Sequence, residues 1–451
     1  MRATSLSISL LLLAGACTPD LARDPVPEEM EFDPEAVPPR VPEPTSLIVN
    51  PMTGLLDFSL AGTVVPADCG AVPELSRAQC EFYRYLQTLD GYPTVAPART
   101  PTTATGLDPA TLTVGTDGNI VIVEAATGAT RTDADAAVGF DAGNRYLTIA
   151  PRPSWRVGQF YWVAVRGYTN GVRARSAAGE ERQVVGSPTQ ALLKQETSLT
   201  CGATSAEDVD PQCPAVALLG QGRTADEAAA AALQLEAIRA GYAAAGAWDS
   251  IAAAGLPKAE VAVLWGFPVH KASVAELDPK AGLLPRVTAP DEIRVAVQGP
   301  VDPATVSAFV VSVQAGSVVT VDLTALQAMD TVGGFPVTDA AYTDGAIVIK
   351  GRQPFVVGHQ YGIFLKRAIR NPSGVPLVPS PVSKLLTVRG ALVDGQGHST
   401  VPGVADADAA MLEEGRVQLG ALFDQPIIQP LTGISRDELV YCFAFPFQVT
   451  P

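Results

Sequence analysis

Gly397-His398-Ser399-Thr400-Val401 is the stretch in which a hydroxyl nucleophile stands directly beside a histidine. Serine hydrolases place their nucleophile in a G-x-S-x-G elbow, because small residues on both sides let a strained strand-to-helix turn expose the hydroxyl. Here Val401 holds the place of the second glycine, and the surrounding DGQGHSTVPG (394–403) is made of turn residues. Adjacency alone does not make His398 a base for Ser399, so a solvated loop is the favoured reading. Paired carboxylates occur in EEMEFDPE (28–35), at Asp133 and Asp135, and at Asp406 and Asp408. A calcium loop wants D-x-D-x-D-G with a distal glutamate, and none of the three supplies it. Asp406 and Asp408 suit the positive end of a helix instead. Histidine is confined to His270, His359 and His398, which leaves little for zinc or imidazole catalysis. No phosphate-cradling glycine loop is found. The expectation is therefore no catalytic residue, no metal and no cofactor.

Cysteine carries the remaining chemistry. Cys69 with Cys80, and Cys201 with Cys213, each enclose a short segment and are expected as two local disulfides of an exported protein. Closing such a loop is worth about 3 kcal/mol in the chain-entropy model. Neither pair has C-x-x-C spacing or a neighbouring histidine, so zinc is disfavoured. Cys442 lies in the apolar run VYCFAFPF (440–447) and is expected as a buried thiol.

Short strands must position these residues. NIVIVEAATG (119–128), RYLTIAP (145–151), FYWVAVRGY (160–168), IRVAVQG (293–299), AFVVSV (308–313), SVVTVDL (317–323), AIVIKG (346–351) and YGIFLKRAI (361–369) are β-branched or aromatic runs bounded by turn residues. On FYWVAVRGY, Tyr161 and Trp162 point to opposite faces, so one is expected in the core and the other half-exposed. Helices are predicted over 75–90, capped by Ser76 and Gln79, over 224–246, with Thr224 and Glu227 at capping-box spacing, and over 405–423. The chain has 40 Gly and 38 Pro, which favours many turns over long helices. Hydrophobic residues make up 47% and charged residues 17%, the balance of a packed globular protein. The net charge of −16 disfavours nucleic acid, whose phosphates need Lys and Arg to displace counterions.

The N-terminus reads as an export signal over 1–16: Arg2, an apolar run from Leu6 to Ala14, then small residues. It is too short to span a bilayer as a helix. Ala14-Gly15-Ala16-Cys17 resembles a bacterial lipobox, although Ala14 holds the usual Leu position. The resemblance implies that Cys17 carries a lipid, with ordinary cleavage before Cys17 as the alternative. Residues 17–44 are rich in Pro, Asp and Glu and are expected as an extended tether. Thr18, rather than Asp, after the cysteine implies outer-membrane sorting in a lipoprotein.

The chain also repeats itself. GLPKAEVAVLWGFPV (255–269) aligns without a gap to GISRDELVYCFAFPF (433–447). Asp108-Pro109-Ala110-Thr111 recurs as Asp302-Pro303-Ala304-Thr305, and LTIAPRPSWRVGQFY (147–161) matches IVIKGRQPFVVGHQY (347–361). Leu235, Glu236 and Arg239 match Leu412, Glu413 and Arg416. Their shared order predicts two homologous modules.

The DPAT strand start, the LTIAP strand and the VG-x-x-Tyr strand resemble bacterial Ig-like domains of the SbsA type. LDGYPTVAP (89–97), and LEAIRAGY (235–242) followed by VAVLWGFPV (261–269), resemble the N-terminal domain of bacterial virulence-factor lipases. The resemblance implies a mainly β fold of two tandem Ig-like β-sandwich modules, each with a helical insertion before its last strand. Module 1 covers 45–270, with 45–94 as an N-terminal extension, and module 2 covers 271–451. A second Ig-like copy stands where those relatives keep a hydrolase, so their activity is not expected here. The function expected is that of a non-catalytic surface lipoprotein acting in binding, adhesion or envelope scaffolding. Its partner would be an envelope or extracellular protein or glycan, with membrane attachment through the N-terminal lipid alone. The alternative is a lipase-related protein or an accessory subunit of a secreted hydrolase.

Overall fold

The computed structural model describes residues 26–70, 76–176, 179–220, 222–277, 284–289, 292–306, 308–313, 331–332, 335–336, 338–351, 360–423 and 435–446. The signal at 1–16, Cys17 and the strand expected at 317–323 lie outside them.

The first half opens with β1 (Glu28–Met30), α1 (Arg77–Leu86), β2 (Ala98–Pro101) and β3 (Ile120–Glu124). It continues with β4 (Ala136–Asp141), β5 (Tyr146–Pro151), β6 (Phe160–Arg166), β7 (Arg173–Arg175) and β8 (Glu181–Gly186). Then come α2 (Pro188–Leu193), α3 (Pro214–Leu219), α4 (Ala225–Ala244), α5 (Ala247–Ala253) and β9 (Val261–Pro268). The second half holds β10 (Val274–Ala275), β11 (Arg286–Ala289), β12 (Glu292–Gln298), β13 (Ala308–Val313), β14 (Thr331–Val332) and β15 (Phe335–Pro336). It ends with β16 (Thr338–Thr343), β17 (Ala346–Gly351), β18 (Gln360–Lys366), β19 (Val378–Pro379), α6 (Pro381–Thr387), α7 (Asp406–Phe423) and β20 (Leu439–Pro446).

The two halves use one strand plan. Strands run β2-β5-β4 and β3-β6-β9 in the first, and β12-β17-β16 and β13-β18-β20 in the second. Even the register repeats. Val163 faces Trp265, and Ile363 faces Phe443, with a bulge after Val165 and after Leu365. Residues of both first-half sheets share one core, which includes Ile120, Ile149, Val163 and Trp265. The second half packs Ile293, Ile349, Ile363 and Tyr441 in the same way. All five residues of β3 are buried, because one face meets the other sheet's core and the other lies under the helical insert. That insert precedes the last strand in each half, as α4 and α5 before β9 and as α7 before β20. Thr224 and Glu227 form the expected capping box at α4.

The first correction concerns the tether. Residues 26–44 are not an extended spacer. Met30 and Phe32 are fully buried, and β1 pairs in parallel with β8. The charges are satisfied locally: Arg182 meets Glu28 at 3.0 Å, Arg99 meets Glu43 at 2.9 Å, and Arg40 pairs with Glu31. The second half does the same thing, with β10 parallel to β19. Ser187 donates to the Phe32 carbonyl, and Ser380 to that of Leu277. EFDPEAV-PPRVPEP (31–44) therefore corresponds to ELDPKAGLLPRVTAP (276–290) with one gap. The stretch that composition marks as a tether is the opening of the first repeat.

The second correction concerns 45–94. This segment belongs to module 1 by sequence, but its helix α1 packs against α6 of the second half. Ala78 joins the second core, Ser76 donates to the Thr400 carbonyl at 2.8 Å, and the Arg389 amide donates to Glu81 at 2.6 Å. Ile48, Leu56, Tyr85, Leu86 and Leu89 form a further apolar cluster with Ala272, Val274 and Val378. Each large side chain buried there contributes about 1.5–3 kcal/mol.

Candidate functional site

The His398–Ser399 loop is held by Asp406, the first residue of α7. The Ser399 amide donates to Asp406 at 2.7 Å, and His398 Nδ1 meets the other Asp406 oxygen at 3.1 Å. The Ser399 hydroxyl donates to the Val401 carbonyl at 3.0 Å. Asp394 accepts the amides of Gln396 and His398 and closes the turn. These N–H groups hold the Asp406 and Asp394 carboxyls below their usual range, and the Asp406 hydrogen bond raises the His398 imidazole. The described contacts give Ser399 no histidine partner. Asp135 likewise serves a turn, accepting from the Thr132 amide, and Asp133 accepts the Val114 amide of a separate loop. Among the described residues no cluster of three or more His, Cys, Asp or Glu could hold a metal.

Both cysteine pairs are joined, with Cα separations of 5.5 Å for Cys69–Cys80 and 6.0 Å for Cys201–Cys213. Cys201–Cys213 staples the loop that leads from α2 into the helical insert. Cys69–Cys80 ties the loop at 68–70 to α1.

The sheet aromatics give a third correction. Neither Tyr161 nor Trp162 is half-exposed; both are buried. Trp162 lies under α4, edge-on to Tyr242 at 5.5 Å. Tyr161 packs on Trp155 and donates to Glu124, a buried carboxylate also met by Arg131 and Arg156. The face expected to be half-exposed is covered by the helical insert.

A cleft of about 420 Å³ opens where α1 meets the second half. One wall is α1 with the disulfide-pinned loop at 68–70. The other comprises the end of β18, β19, α6 and the turn entering β20. Its floor includes Tyr85, whose hydroxyl donates to the Pro379 carbonyl at 2.5 Å. Arg77, Arg84, Arg367, Lys384 and Arg389 line it, against Asp68, Glu81 and Asp437. This is a local excess of cations in an acidic chain. Glu81 is committed to Arg77 at 3.0 Å and to the Arg389 amide. Asp437 meets Arg389 at 3.7 Å. Burial pulls the Lys384 ammonium below its usual range; Asp437 and Glu81 oppose that, while Arg389 and Arg367 add to it. A polar cleft with uncommitted cations can hold an anionic group by charge-assisted hydrogen bonds.

None of these cleft residues stands out in a single pass along the sequence. The signal that finds Arg367, Lys384 and Arg389 is the repeat, read for its differences rather than its matches. No protein-family model and no curated protein matches the chain. Among the described residues no helix is long and apolar enough to cross a membrane.

Proposed function

We propose that the protein is a non-catalytic surface lipoprotein, anchored through Cys17 to a bacterial outer membrane or cell surface. In this reading it carries two tandem Ig-like β-sandwich modules that bind an envelope or extracellular partner. The observation that carries it is the junction cleft: a charged cavity between repeated modules, with no nucleophile–base pair on its walls. The repeated strand plan supports the tandem Ig-like reading, and the two disulfides suit an exported protein. The Ser399 amide bound to Asp406 and the Ser399 hydroxyl bound to the Val401 carbonyl support the reading without lipase chemistry.

Ester hydrolysis by the purified protein and by Ser399→Ala tests the non-catalytic part. No turnover with either is expected; turnover lost in the variant overturns the reading. Mass spectrometry of the mature N-terminus tests the anchor. A lipid-modified Cys17 is expected, and an unmodified one refutes it.

A further inference from the structure

The two halves share a backbone, so positions where they differ separate what the fold needs from what it does not. Three such positions face the cleft. Arg367 occupies the place of Gly167: the Gly167 amide donates to the Glu260 carbonyl, and the Arg367 amide to that of Glu438, both at 2.8 Å. Lys384 occupies the place of Ala191, each donating its amide to the capping serine, Ser380 or Ser187. Arg389 occupies the place of Glu196, each offering its carbonyl to the arginine of the helical insert, Arg416 or Arg239. The first half builds the same framework with Gly, Ala and Glu. The second replaces them with three cations that converge on one cavity.

Arg77 pairs with Glu81 and Arg389 with Asp437, so Arg367 and Lys384 stand in excess of the cavity's ion-paired acids. Among the described residues neither Arg367 nor Lys384 forms an ion pair. A partly buried lysine with no bonded counter-charge costs stability, and the first half shows that the fold does not require it. The opposite wall comes from α1, an insertion with no counterpart among the described residues of the second half, and Cys69–Cys80 holds its rim loop in place. The volume, about 420 Å³, falls within the range of small-molecule sites.

We infer that this cleft binds a sugar-sized oxyanion, a carboxylate or phosphate on a small hydroxylated molecule, held by Arg367, Lys384 and Arg389. The inference rests on the binding role proposed above and names the chemistry of that site. Titration calorimetry of the intact mature protein tests it with glucuronate, glucose 6-phosphate, inorganic phosphate and neutral glucose. At least one anionic probe is expected to bind one per chain, at least tenfold tighter than glucose, and to weaken as salt is raised. Phosphate binding as tightly as glucose 6-phosphate assigns the site to the free ion; preference for either sugar acid assigns it to the glycan-borne group.

Arg367→Gly and Lys384→Gln should each weaken binding tenfold or more. Arg367→Gly restores the residue of the first half and so keeps a backbone that is known to accommodate it. Arg173→Gln, on β7, should leave binding unchanged. No binding by any anionic probe, or binding indifferent to both cleft substitutions, overturns the inference. Capture of an envelope partner that survives both substitutions overturns the anion site alone, leaving the binding role intact. Ser399-dependent ester turnover overturns the non-catalytic role alone.

Discussion

His270 shows how a single residue can make the junction sensitive to pH. It is the second residue beyond β9, on the link into the second half, and it is 1% exposed. Its amide donates to the Tyr92 carbonyl, and its own carbonyl accepts from Gly158. Burial pushes the imidazole down to about 4, against the smaller opposing pulls of Asp90 and the Ala272 backbone. Lys271 beside it is already engaged with Asp90 at 3.8 Å. The folded state therefore holds His270 neutral, while the unfolded chain takes up a proton near pH 6.5. Between those values the unfolded state binds more protons, so stability falls as pH falls. The expected loss is about 3 kcal/mol between pH 6.5 and 4, read from urea midpoints. His270→Gln should flatten that part of the profile; an unchanged slope would place the effect in other groups. The repeated Glu–Arg pairs work at the same scale. Glu236 accepts from the Leu199 amide and Glu413 from that of Leu392, both at 2.8 Å, while each holds its arginine. The repetition of these letters is visible in the chain. That their task is to tie the helical insert to the loop after α2 or α6 is not, because the partners are backbone amides.

At the scale of elements, α1 is the piece whose position the fold had to make room for. A side chain at Gly390 would put its Cβ 2.2 Å from the Ala78 nitrogen and 2.8 Å from the Arg77 carbonyl carbon. Both are backbone atoms, so they cannot swing aside. The first half, with no helix docked there, carries Thr197 at the corresponding position. Gly390→Ala should loosen α1 from α6, with a cost of about 1–3 kcal/mol from overpacking. Hydrogen exchange of the α1 amides checks it: faster exchange there, with β3 and β6 unaffected, is the expected result. Protection equal to the parent protein would mean that α1 is not seated as described. Element legibility follows the same physics. β13 and β17 are readable to the residue because apolar runs bounded by turns have few other solutions. β1 escapes a sequence reading because its three residues carry two glutamates among prolines, and composition outweighs the burial of Met30 and Phe32. The helix α1 is legible from its Ser76 cap and apolar face, but its partner is not, since docking depends on a surface far along the chain.

For the whole molecule, the repeat implies two units that could in principle fold separately, and the junction argues that they do not. The Gln298 side-chain amide, on β12, reaches back to the Trp155 carbonyl at 2.9 Å. Thr94 donates to Glu276 at 3.1 Å. The extension at 45–94 packs its apolar side chains on the linker and on Val378, so one cluster contains residues from both halves. Opening the halves would expose that cluster and leave these buried polar groups without their partners, a penalty of about 1–3 kcal/mol for each polar group. The expected consequence is a single calorimetric transition for the parent protein, with matching calorimetric and van't Hoff enthalpies. Gly390→Ala combined with Gln298→Ala removes the α1 seat and the β12 link together. It should split the transition in two, the second half melting first because it loses part of its own core with Ala78. Two transitions in the parent protein would show that the modules are independent beads. In that case the junction cleft would be a passing contact rather than a site held open by the fold.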